Sequence, residues 1–73
     1  MQYHWRKGLK YYKITMQPNL FGTIDIVCHW GRLGTNSGGY KVISCDSQKD
    51  IELAIKTITK RRKTRGYLIC YDH

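Results

Sequence analysis

One stretch of this chain repeats at helical spacing while most of the rest alternates, and that imbalance decides the architecture. Between Ser47 and Gly66, the residues Ile51, Ala54, Ile55 and Ile58 recur three and four positions apart and so line one side of a helix over residues 48–65. Ser47 with Asp50 three residues on makes a capping-box-like start, and Gly66 stands where a left-handed residue would close the helix. A lone amphipathic helix must cover its apolar stripe with something, and the remaining segments offer a sheet. Lys10 to Met16 alternates, with Tyr12, Ile14 and Met16 on one face and Tyr11, Lys13 and Thr15 on the other. Thr23 to Trp30 places Ile24, Ile26, Cys28 and Trp30 in phase, and Tyr40 to Cys45 and Tyr67 to Tyr71 are short β-branched or aromatic runs. Tyr3 to Arg6 offers one more strand near the N-terminus. The order suggests an antiparallel meander, and the fold class is α+β, with one amphipathic helix packed across a small antiparallel sheet.

Length limits what this fold can hold. A chain of 73 residues makes one domain, here 1–73, with a small core, because it buries only about 60–65% of the surface its unfolded form exposes. Glycine and polar groups at Gly8, Gln17 to Gly22, Gly34 to Gly39 and Asp46-Ser47 punctuate the elements without forming a linker. The longest uncharged stretch, Ile14 to Ile24, is interrupted by Gln17, Pro18, Asn19 and Gly22, so no segment suits a membrane span. The N-terminal residues lack the apolar core of a secretory signal, which leaves a cytoplasmic location as the expectation. Cys28, Cys45 and Cys70 are odd in number and widely separated, a pattern that suits reduced, half-buried thiols better than a disulfide framework or a zinc ribbon.

Charge gives the first indication of a partner. Thirteen Lys and Arg stand against five Asp and Glu, a formal net charge of +8, which favours a polyanion. From Lys56 to Arg65 there are six basic residues (Lys56, Lys60, Arg61, Arg62, Lys63 and Arg65) and no acid. The helix dipole explains one or two of them, since bases near a C-terminus stabilise a helix by about 0.3–1 kcal/mol each. A second group, Arg6, Lys7, Lys10 and Lys13, is interleaved with Tyr3, Trp5, Tyr11 and Tyr12. Cations that neutralise phosphates beside rings that stack on sugars or bases are what a nucleic-acid surface requires, and a merely solvated basic face is the alternative.

The sequence His29-Trp30-Gly31-Arg32-Leu33-Gly34-Thr35 places a large ring and a planar guanidinium on either side of a glycine, at a strand end beside a glycine-rich loop. Trp30-Gly31-Arg32 with Leu33-Gly34-Thr35 resembles the signature of the WGR domain, a basic module of the DNA-damage-activated poly(ADP-ribose) polymerases and of many short bacterial proteins. Tyr11-Tyr12-Lys13-Ile14, Gly38-Gly39, Ser47 to Ala54, and Lys63-Thr64 with Gly66-Tyr67 are similar to further landmarks of that family, in order, so the resemblance spans roughly residues 9–71. It implies a twisted antiparallel sheet with one helix across it, and nucleic-acid binding as the function. In the polymerases the motif's Trp packs against a sugar at a DNA 5′ terminus and its Arg joins the damage-assembled interface. By position those roles would fall to Trp30 and Arg32. The polymerases' other domains, including the ADP-ribosyltransferase, have no counterpart in these residues, so catalysis is not implied.

Two readings of Trp30 stand together. In phase with Ile24, Ile26 and Cys28 it would face the core unless a bulge intervenes, while the resemblance makes it a contact; a side chain at a strand's end can be both. Arg32 has no apolar phase. Trp5 suits either an exposed stacking ring or a strap over a sheet edge. Catalysis is hard to build: Asp50 and Glu52, two apart on a helix, diverge, and Gly34 to Gly39 lacks the Lys-Ser/Thr ending of a phosphate-binding loop. His4, His29, His73 and the three cysteines show no paired metal-ligand spacing. The expectation is therefore a stand-alone, non-catalytic module without cofactor or metal, binding nucleic acid, with duplex DNA favoured, through Trp30, Arg32, Lys13, Lys56, Lys60, Arg61, Lys63 and Arg65. The alternative is a protein-interaction adaptor that docks on an acidic protein partner.

Overall fold

The computed structural model describes residues 2–70. Five strands, β1 (Gln2–Lys7), β2 (Lys10–Pro18), β3 (Ile24–Arg32), β4 (Gly38–Cys45) and β5 (Leu68–Cys70), form one antiparallel sheet, with a single helix, α1 (Gln48–Thr64), between β4 and β5. The spatial order β4-β3-β2-β1-β5 makes the first four strands the expected meander. The fifth departs from it. Chain leaving α1 has crossed the whole sheet and pairs with β1, Trp5 opposite Ile69, rather than continuing from β4. Tyr67 lies before β5, and Tyr71, the expected end of that strand, lies outside the described residues.

Alternation explains which side the helix covers. The register is unbroken from Lys10 opposite Arg32 to Pro18 opposite Ile24, so Tyr12, Ile14 and Met16 stand beside Trp30, Cys28 and Ile26 on one face. Trp5, Tyr12, Ile14, Ile26, Cys28 and Cys45 from that face meet Ile51 and Ile58 of α1 to form the core, with Trp30 half-buried against it. Trp5 is 2% exposed on β1, an interior strand once β5 has paired. It is therefore neither a free stacking ring nor an edge strap. Cys28 and Cys45 are free thiols more deeply buried than expected, and Cys70 is intermediate. Burial, with Asp50, Asp25 and Asp46 nearby, pushes the Cys45 thiol up from its ordinary pKa.

Both helix ends follow local chemistry. The Ser47 hydroxyl accepts from the Asp50 amide at 3.2 Å, while the Asp50 carboxylate reaches past the cap to accept from the Asp46 amide at 3.3 Å. At the other end Gly66 adopts φ 84, the Gly66 amide donates to the Lys63 carbonyl and the Tyr67 amide to the Arg62 carbonyl. That is a Schellman closure, which needs a left-handed residue at this position. It turns the chain so that Tyr67 falls back over the last helical turn.

Candidate nucleic-acid interface

Trp30 and Arg32 stand at the end of the sheet toward which α1 runs. Four rings cross the helix-side face in a row: Tyr3 stacks on Trp5 (5.8 Å between centroids), Trp5 meets Tyr12 edge-on (6.2 Å), and Tyr12 stacks on Trp30 (6.0 Å). The row ends over Gly39, where an added Cβ would lie 2.9 Å from the Trp30 ring, so β4 must lack a side chain there for the indole to lie down. Trp30 is thus anchored by its inner side and open along its outer one.

Two residues on, Arg32 projects from the same face and is exposed. Its backbone is held by the following turn: the Thr35 amide and hydroxyl both donate to the Arg32 carbonyl, at 3.2 and 2.9 Å, and the Thr35 hydroxyl accepts from the Ser37 amide. The guanidinium itself has no partner among the described residues. Lys10 stands directly opposite Arg32. Trp30, Arg32, Lys10, Tyr67 and the bare backbone at Gly31 and Gly38 line a groove of about 440 Å³. Lys10 and Tyr67 were not among the expected site residues.

The C-terminus of α1 lies toward the same end of the sheet, where Lys7 Nζ donates to the Arg65 carbonyl at 2.8 Å, but no α1 residue lines the groove; Lys56, Lys60, Arg61 and Arg65 border a separate concavity on the helix. Lys56, Lys60, Arg61, Lys63 and Arg65 are all exposed, and Lys56 stands nine residues, about 13 Å of helix, back from Arg65. Arg62 and Lys13 do not belong with them. Arg62 is 8% exposed: its guanidinium lies 4.2 Å from the centre of the Tyr12 ring and 4.9 Å from that of Tyr67, and its Nε has no hydrogen-bond partner. This base is a packing element. It lowers the pKa of Tyr12, yet burial and the neighbouring Cys28 thiol outweigh it and push the phenol up to about 12. Lys13 alternates onto the opposite, uncovered face of the sheet, its ammonium 5.9 Å from the centre of the Tyr11 ring.

Acids gather at the far end. Asp25, Asp46 and Asp50 surround Cys45, which pairs with Ile24. That pair is eight residues, about 27 Å, along β3 from Arg32. The molecule therefore has a cationic and an anionic pole, which orients a polyanion before contact. Among the described residues no three of His, Cys, Asp and Glu gather as a metal site, and no helix is long and apolar enough to cross a membrane. His73 lies outside the described residues.

A five-stranded sheet with one helix across it and a Trp, an Arg and a basic helix end at one pole defines a small basic α+β binding module. A family model, the WGR domain, matches residues 4–70, and the chain belongs to that family. WGR domains are nucleic-acid-binding modules, not catalytic ones. The chain is also 32% identical over 62 residues to the uncharacterized protein y4dW of Sinorhizobium fredii (strain NBRC 101917 / NGR234); that match covers 85% of this chain and 30% of the relative. The chain thus spans less than a third of that relative's length. No solved structure matches the chain.

Proposed function

We propose that residues 1–73 act as one cytoplasmic, non-catalytic module that binds duplex DNA, at its ends in preference to its interior. The observation that carries this reading is the groove at one pole lined together by a half-buried Trp30, Lys10 and an Arg32 guanidinium without a partner among the described residues, with the exposed bases of the helix end toward the same end of the sheet. Phosphates are attracted by the cations wherever the duplex presents them, and the ring has a surface on which an exposed terminal sugar can pack. Arg32 suits bidentate phosphate recognition because no described residue engages its planar fork. Among the described residues no carboxylate pair and no nucleophile with a base lines the groove, whose lining beyond Trp30, Arg32 and Lys10 is tyrosine, serine and glycine.

The helix end is tested by changing Lys60, Arg61 and Lys63 together to Gln. Duplex affinity is expected to fall and the plot of log K against log salt to flatten, each lost phosphate contact taking about 0.9 from the slope. An unchanged slope would mean that these bases serve only the helix dipole and solvation.

A further inference from the structure

The uncovered face of the sheet differs from the polar face usual in an antiparallel sheet packed on one side. Cross-strand rows can be read from the register. Nearest the Trp30 pole, Arg6, Tyr11, Gly31 and Gly38 form one row; His4, Lys13, His29 and Tyr40 form the next. The third, Gln2, Thr15, Val27 and Val42, carries no charge, and beyond it comes Asp25. Among the described residues of these four strands, every cation and ring of this face thus lies in the two rows adjoining the groove, and the one acid lies at the other end. His29 and Tyr40 are exposed and stack on each other at 5.9 Å between centroids, with Tyr40 69% exposed. Tyr11 lies across Gly31, where an added Cβ would meet its hydroxyl at 2.7 Å.

Tyr11 also lines both surfaces. It borders the groove with Trp30 and Arg32 and, with Lys13 and His29, the concavity on the open face. A strand leaving the groove passes over Tyr11 directly onto the second row, about 7 Å further along the strands.

We infer that this face is a second nucleic-acid site, which takes the single-stranded continuation of a duplex end held at Trp30 and Arg32; the inference rests on the duplex-end reading above. Bases stack on Tyr40, His29 and Tyr11, and Arg6 and Lys13 neutralise the phosphates between them. Sheet faces that present aromatic rings bind single strands in this way, because every base has a π-face whatever its sequence. A duplex has no unstacked base to offer there, so the substrate class is a duplex end with an overhang.

The test uses the full chain and three fluorescent probes at one salt concentration: a blunt duplex, the same duplex with a short thymidine overhang, and the thymidine oligomer alone. The overhang is expected to tighten binding about tenfold over the blunt duplex. Tyr40→Ser, which removes a ring and no charge, is expected to abolish that gain while leaving blunt-duplex affinity unchanged, and Tyr40→Phe to keep it. Equal affinity for blunt and overhung duplexes, or a gain that survives Tyr40→Ser, overturns the inference and leaves the duplex-end reading standing. Binding of the oligomer alone in a Tyr40-dependent manner, without duplex binding, supports the open-face site and overturns the duplex reading. Binding of none of the three overturns both.

Discussion

Trp30→Ala is expected to lower the stability of the domain by about 3 kcal/mol, the lower end of the cost of truncating a buried Trp, because the ring is half-buried. The side chain stacks on Tyr12 and fills the space that Gly39 leaves open, so its loss removes both the stack and the cover over β4. For so small a core that is a large part of the total. Arg32→Ala, two residues on and exposed, is expected to stay within about 0.5 kcal/mol of the parent while weakening DNA binding. Urea midpoints of the two variants check the contrast. A Trp30→Ala midpoint equal to the parent's would place the ring outside the core, and an unfolded Arg32→Ala would make that guanidinium structural.

Arg62→Ala is expected to cost about 2–4 kcal/mol, whereas Arg61→Ala, its exposed neighbour, costs almost nothing. The difference comes from the sandwich between Tyr12 and Tyr67, since a desolvated cation over a ring contributes up to about 2 kcal/mol per contact and truncation also leaves a cavity. Arg62→Lys should recover little of it, because an ammonium cannot lie flat between two rings. Folded Arg62 variants should retain the parent's salt slope. Equal costs at the two positions, in thermal or urea unfolding, would contradict the sandwich.

Arg62 also shows how much was legible beforehand and why the rest was not. Its burial can be found in the spacing, because residues 51, 55, 58 and 62 continue one helical stripe. Charge hid it: an arginine on an apolar stripe reads as a surface base until two rings are brought around it, and Tyr67 comes there only through the turn at Gly66. Lys13 is the converse case. Its phase with Tyr11 and Thr15, opposite to Tyr12 and Ile14, already separates it from Trp30, but grouping bases by nearness in sequence joined what the pleat divides.

The helix, its two ends and the four-stranded meander were legible because each rests on local chemistry: a cap, a left-handed glycine, alternation. The place of β5 was not. Three residues with no strong alternation carry no signal of which edge they join, and that pairing decides the burial of Trp5 and the closeness of Lys7 to the helix end. Lys10 is legible as one of the second basic group, but its place beside Arg32 is not, since only the β2–β3 register sets it there.

Competition between a short linear duplex and an intact relaxed circle, at equal base-pair concentration and at low and near-physiological salt, separates recognition of DNA ends from binding along the backbone. Cations at the Trp30 pole find phosphates on both molecules, while packing of the indole on a terminal sugar needs an end. The phosphate contribution weakens with salt through counterion release, and ring packing weakens less. The linear duplex is therefore predicted to compete better than the circle, by a margin that grows as salt is raised. If the circle competes equally at both salts, the module holds the DNA backbone alone and Trp30 reads no end.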